Sequence, residues 1–200
     1  MKYAARAFFA AAIALALMLS ACGKQPTLEI NDAKAAIEVA VREGGEKYAK
    51  DEVKALNDEL NVAMEEVKTQ DAKFLKNYDR AKEMLAQVKS KAETLQAEIP
   101  AKKEKAKNDA TAALEAAKTA IADAKALLDK APTGKGTTAD IEALKADVTG
   151  LEASLTETEG LIAGEDYFAA IEDANGISAK AAEVSTQVTQ ALEKVGKSVK

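Results

Sequence analysis

Histidine and tryptophan are both missing from this 200-residue chain, and cysteine occurs once, at Cys22. Without histidine no imidazole is present to activate a serine or cysteine nucleophile. A zinc or copper site would have to be assembled from carboxylates alone. Oxygen-ligated calcium stays open by composition, yet no D-x-D-x-D-G loop occurs, and acid pairs such as Glu65-Glu66 fall where a helix surface puts them. Aromatic residues make up only 4% of the chain, so bulky fixed points in a core are few. Nothing beyond residue 19 is apolar for long enough to span a bilayer. These absences together argue against an enzyme, a cofactor or a metal centre.

What is present begins with a three-zone amino terminus. Lys2 and Arg6 form a positive front, residues 7–19 are an unbroken apolar run, and small residues then lead to Cys22. Such a pattern reads as a secretory signal over residues 1–21. Thirteen helical residues span about 20 Å, short of the ~30 Å hydrocarbon core, which argues against a permanent transmembrane helix. The seam Leu19-Ser20-Ala21-Cys22 resembles the lipobox of bacterial lipoproteins. That resemblance implies cleavage before Cys22, acylation of its thiol (palmitate among the chains), and anchoring of the mature chain in a bilayer. By resemblance to enterobacterial sorting, Gly23 in place of aspartate favours the periplasmic face of the outer membrane over the inner membrane.

Of the 28 basic residues, removal of the signal takes Lys2 and Arg6, leaving 26 against 33 acidic ones. An acidic chain of interspersed signs is poorly suited to nucleic acid or to an anionic membrane surface, and its charges read as solvated helix faces. Residues 22–30 read as a lipidated tether. Its extended part, residues 23–27, lifts the folded body less than about 20 Å from the lipid at ~3.5 Å per residue.

From there the pattern is helical. Asn31 or Asp32 is the expected cap of a first helix carrying Ile30, Ala33, Ile37 and Ala40, which Gly44-Gly45 stops. A second helix from about Lys50 carries Val53, Leu56, Leu60, Ala63, Val67 and Phe74 at alternating spacings of three and four, with Gln70 inside the series. A third carries Tyr78, Ala81, Leu85, Val88, Ala92, Leu95 and Ile99. So narrow a seven-residue repeat is the seam of shallowly packed helices, as in bundles and coiled coils. Pro100 follows, with Lys102, Lys103, Glu104, Lys105 and Lys107, a stretch charged all round and expected to cover no core. Proline costs ~3 kcal/mol inside a helix but little at a first turn; the surrounding Lys, Glu and Ala favour a kinked continuation over a break. A fourth set is Leu114, Ala117, Ile121, Ala124 and Leu128, ended by a loop around Pro132-Thr133-Gly134. A fifth is Ile141, Leu144, Val148, Leu151, Leu155 and Ile162, closed by Gly164. The sixth runs through Tyr167, Ala170, Ala174, Ile177, Ala181, Val184, Val188, Ala191 and Val195.

These sets read as two copies of three. The second and fifth match at an offset of 88, including a polar residue at the same seam position, Gln70 and Thr158. The third and sixth match at 89, Tyr78 facing Tyr167, and Ala33, Ile37 and Ala40 match Ala117, Ile121 and Ala124 at 84. The expected fold is therefore all-α: two duplicated antiparallel three-helix units, residues 31–100 and 101–200, joined by a long helix kinked at Pro100. Phe74, Tyr78, Tyr167 and Phe168 are the expected fixed points near the two turns, the tyrosines half-buried with wet hydroxyls.

Ala33-Lys34-Ala35-Ala36-Ile37, Gly45-Glu46-Lys47-Tyr48-Ala49 and Asn77-Tyr78-Asp79-Arg80-Ala81 resemble a family of short, alanine-rich helical lipoprotein modules of undetermined function. Asp166-Tyr167-Phe168-Ala169-Ala170-Ile171 echoes the last of them. Members occur alone or ahead of OmpA-like peptidoglycan-binding domains. The chain also ends on Lys200, and murein lipoproteins are similar in joining a terminal lysine to peptidoglycan. The expected partners are the lipid bilayer, through Cys22, and an envelope protein or peptidoglycan. The expected role is envelope scaffold, spacer or adaptor, with a periplasmic carrier of a small apolar ligand or lipid as the alternative.

Overall fold

Helix begins sooner than a cap at Asn31 or Asp32 would allow. The structure, a computed structural model, describes residues 23–131 and 138–194, and its first helix, α1, is Thr27–Ala40. Pro26 stands at the cap position, buried, and its carbonyl accepts the first backbone bond, from the Ile30 N–H at 3.0 Å. A proline there loses no helical hydrogen bond, and Glu29 in the first turn suits the positive end of the helix dipole. Asp32 is freed to pair with Lys89, 3.0 Å away. The tether expected over residues 22–30 is thus already helix from Thr27.

A five-residue π turn, Val41–Gly45, and the single turn α2, Glu46–Tyr48, lead into α3, Lys50–Asp71. Gly44 and Gly45 reverse the chain for two different reasons. Gly44 sits at φ 108°, a left-handed conformation that L side chains rarely adopt. Gly45 is buried where an added Cβ would lie 2.8 Å from both the Ala40 carbonyl oxygen and Val53 Cγ2. One glycine supplies the bend; the other supplies the space.

α4 runs unbroken over Asp79–Asp129 with Pro100 inside it, so the third and fourth helical sets share one element. The described residues up to Lys102 form one compact unit and those from Lys103 another. In the first unit, α1, α3 and the opening half of α4 pack as a three-helix bundle. Asp32–Lys89 and Glu29–Lys82 align α1 parallel to α4, and Glu59–Lys91 with Glu52–Lys102, each 2.6 Å, set α3 antiparallel to it. The core is the expected seam: Ala33, Ile37 and Ala40 meet Val53, Leu56, Leu60 and Ala63, and Leu85, Val88, Ala92, Leu95 and Ile99 close it.

In the second unit, the closing half of α4 packs with α5, Thr138–Ala163, and α6, Tyr167–Lys194. Lys125–Glu152 at 2.7 Å and Lys118–Glu159 at 3.0 Å hold α4 antiparallel to α5. Ala117, Ile121, Ala124 and Leu128 pack with Ile141, Leu144, Val148 and Leu151 and with Ala174, Ile177, Ala181, Val184 and Val188. Leu192 joins that core in place of Ala191; Val195 and the loop at residues 132–137 lie outside the described residues.

Expectations about the core fail after Pro100 and at Phe74. The charged stretch after Pro100 does cover core, because Ala106 and Ala110 are buried along the line from Ile99 to Leu114. Alanine carries so little hydrophobic signal that the lysines around it hid the seam. Phe74, placed in the seam by spacing, is 95% exposed. α3 stops at Asp71, one residue beyond buried Gln70, so the helical spacing no longer governs position 74. In α5 the helix continues to Ala163 and the matching Ile162 stays half-buried.

Candidate functional site

Cys22, the proposed lipidation position, and the whole of residues 1–21 lie outside the described residues, as does Lys200. The structure nevertheless describes where the chain departs toward Cys22. Gly23 lies against the base of the 72–78 loop: a Cβ there would be 3.2 Å from the Tyr78 ring and 3.3 Å from the Lys76 carbonyl oxygen. Two residues on, the Gln25 side-chain amide donates to Asp71 Oδ2 at 3.0 Å, and Pro26 is buried. The short segment 23–26 is therefore docked on one end of the first unit.

Asp71 is the hub of that end. The Tyr78 hydroxyl donates to its Oδ1, Gln25 donates to its Oδ2, and Lys76 Nζ stands 3.7 Å from its Oδ1. Beside it, the Gln70 side-chain carbonyl accepts from the Asn77 backbone N–H at 3.4 Å, while its amide donates to Glu66 Oε1 at 2.8 Å. Asn77 Oδ1 in turn accepts from the Asp79 N–H at 2.8 Å, giving α4 a side-chain cap. Tyr78 is buried rather than half-buried, and its hydroxyl is satisfied inside the protein rather than wet. Its ring packs with Val67, Ala81 and Ile30. Tyr167 is likewise buried, whereas Phe168 is 49% exposed and is no core anchor.

Above this firmly bonded base the loop presents Lys73-Phe74-Leu75-Lys76. Leu75 is 70% exposed beside Phe74, and Leu28, in the first turn of α1, is 69% exposed. Sequence spacing missed this corner, since it assigned Phe74 to the core. The usable signal was the lone polar Gln70 in the seam, which marks where α3 stops burying side chains.

The lysine cluster after Pro100 is neutralised within the chain. Lys102 pairs with Glu52, Lys103 with Glu165, Lys105 with Asp109 and Lys107 with Glu104. The Lys102 hydrogen bond, first among its causes, holds the Glu52 carboxyl below its ordinary 4.5. The described residues include no group of three or more acidic, histidine or cysteine side chains placed to hold a metal ion, and no helix long and apolar enough to cross a membrane. Hollows along the helices are open grooves. One of about 510 Å³ is walled by Asp147, Lys180 and Glu183 besides Leu151 and Val184, and another of about 320 Å³ by Ala55, Leu56, Thr94 and Leu95 among three glutamates, Glu52, Glu59 and Glu98.

The class that fold and corner define is an all-α protein of two helical units, with residues 23–26 docked on one end of the first. No protein family, curated protein or solved structure matches the chain.

Proposed function

We propose that this chain is a lipid-anchored lipoprotein of the bacterial cell envelope, with Cys22 acylated, acting as scaffold, spacer or adaptor on the periplasmic side. The observation that carries the reading is Leu19-Ser20-Ala21-Cys22 directly after the 7–19 apolar run, with no second cysteine in the chain. Several acyl chains on one residue give stable anchoring, each buried methylene adding about 0.8 kcal/mol. The body supports a mechanical role: ion pairs such as Asp32–Lys89, Glu59–Lys91, Lys118–Glu159 and Lys125–Glu152 tie its helices together, and its described grooves are open and edged with charge. Gly23 after the cysteine favours the outer membrane.

Duplication of the units is part of the same proposal. It is supported by matched burial at matched positions: Ala33, Ile37 and Ala40 with Ala117, Ile121 and Ala124, and Tyr78 and Ala81 with Tyr167 and Ala170. Resemblance to the alanine-rich lipoprotein modules, and a peptidoglycan link at Lys200, are proposed on the sequence alone. Liberation of a Lys200 peptide bearing a muropeptide, on digestion of purified cell wall, tests the latter.

The alternative, a carrier of a small apolar ligand, draws on the mainly apolar groove at Leu56 and Leu95. Saturable binding of a fluorescent fatty acid, lost in Leu56→Glu, would favour it. For the main reading, mass spectrometry of protein extracted from membranes is expected to find Cys22 as an acylated amino terminus. A free thiol on a chain that stays in buffer overturns it. Crosslinking from the helical body in intact cells then identifies what it spaces or joins.

A further inference from the structure

We infer that the 72–78 loop is a second membrane contact, with Phe74 and Leu75 inserted in the interfacial layer of the bilayer that holds Cys22. The inference rests on the lipid-anchor reading and goes beyond it, since acyl chains alone demand nothing of this loop.

Position is the first argument. Gly23 packs against Tyr78 and the Lys76 carbonyl, and the Cys22 Cα is one peptide away, about 3.8 Å from that of Gly23. An acylated Cys22 therefore brings the lipid surface to this end of the first unit, with no free spacer between them. Residues 23–26 are not slack, because Gln25 is bonded to Asp71 and Pro26 is buried.

Composition is the second. Phe74 and Leu75 are adjacent, 95% and 70% exposed, and flanked by Lys73 and Lys76. An apolar tip beside an exposed lysine suits an interface: the ring and methyls enter the acyl boundary, while the Lys73 ammonium on its long stem stays among the headgroups and Lys76 stays beside Asp71 at the base. Leu28, 69% exposed at the same end, adds to the apolar surface there.

Closing the hairpin does not require these residues. In the second unit the same connection is made by Gly164, Glu165 and Asp166, all polar or small, with the Asp166 N–H bonded to the Leu161 carbonyl at 2.8 Å. In the first unit α3 instead ends early and releases an apolar turn into solvent. The loop's base is nevertheless fixed by Gln70, Asp71, Asn77 and Tyr78, so the tip is held out on a rigid support.

The chain has no tryptophan, so Phe74→Trp supplies a single fluorescent reporter at an exposed site that leaves the core untouched. Val62→Trp, on the flank of α3 and 59% exposed, is the comparator. Each full-length, processed, acylated protein is reconstituted into phosphatidylethanolamine–phosphatidylglycerol vesicles with and without lipids brominated on their acyl chains. The expected result is blue-shifted F74W emission, quenched several-fold more by brominated lipid than V62W emission, and shielded from aqueous iodide. Protein that floats with the vesicles while the F74W indole stays open to iodide overturns the inserted loop and leaves the anchor standing. A blue shift without brominated-lipid quenching puts the tip against protein, a second copy included, and also overturns it. Failure to float with the vesicles overturns the anchor and the loop together.

Discussion

Gly44 and Gly45 decide whether the first unit can reverse direction, and neither is interchangeable with alanine. Gly44→Ala forces a side chain into the left-handed region, 3.1 Å from the Tyr48 ring. Gly45→Ala drives a Cβ onto the Ala40 carbonyl and Val53. Each change is expected to cost roughly 1–3 kcal/mol, from backbone strain in the first and overpacking in the second. Denaturant unfolding followed by circular dichroism checks both. Asp71 is the other residue on which much turns. Asp71→Ala strips partners from the buried Tyr78 hydroxyl and from Gln25 together, and a loss of about 1–3 kcal/mol is expected. Asp71→Asn keeps an acceptor and is expected to recover most of it. Urea midpoints of the three proteins give the ranking, and an Asp71→Ala midpoint equal to the parent's would remove the hub from the account.

Helices were the legible level of this chain, and the reason is physical. A seam repeating every three and four residues puts its apolar side chains on one face of the helix, so Val53 to Val67, Tyr78 to Ile99 and Ile141 to Leu151 could be placed in the core from spacing. Spacing says nothing about where a helix ends, which is why it carries Phe74 into the seam; the cap expected at Asn31 or Asp32 rests on residue type, and both lie inside α1. It also fails where the seam residue is alanine among lysines, as at Ala106 and Ala110. The corner around Gly23 and Asp71 joins residues 46 apart in the chain through one amide hydrogen bond, and no periodicity records that. Glycines inside the helices pose the opposite case to Gly44 and Gly45. Gly150 and Gly160 in α5 and Gly176 in α6 face open space, with nothing within 4 Å of an added Cβ. Replacing any of them by alanine removes backbone entropy from the unfolded chain at no steric cost, so each is expected to stabilise by up to about 1 kcal/mol. A rise in thermal midpoint for all three, against the fall at Gly44 and Gly45, is the measurement; a fall at Gly176 would mean that its helix face is covered.

Taken as a whole, the molecule combines alanine-rich seams, which bury little area per residue, with a ladder of ion pairs between helices, so pH should bear on its stability from both sides. On the acid side the resolved shift is at Glu52, held below 4.5 by the hydrogen bond from Lys102. A carboxyl lowered in the folded state contributes fully above its unfolded value, and the contribution drains away as pH falls through the lowered one. On the basic side Lys89, Lys102, Lys118 and Lys125 are raised above 10.5, each chiefly by the hydrogen bond it donates, to Asp32, Glu52, Glu159 and Glu152 respectively. Raised lysines contribute fully below 10.5 and lose it as pH climbs through their raised values. The thermal midpoint is therefore expected to be level between about pH 5 and 10 and to fall beyond both ends. The resolved lysines lie in both units, so the basic fall should involve both; the resolved acid shift lies in the first unit alone. All these groups are solvent-exposed, so the falls are small, and 1 M salt should flatten the Glu52 and lysine contributions. Glu52→Gln isolates the acid limb: its midpoint should sit slightly below the parent's at neutral pH and converge with it as the pH drops below 4.5 and through the lowered value. Parallel curves through that range would assign the acid fall to other carboxylates.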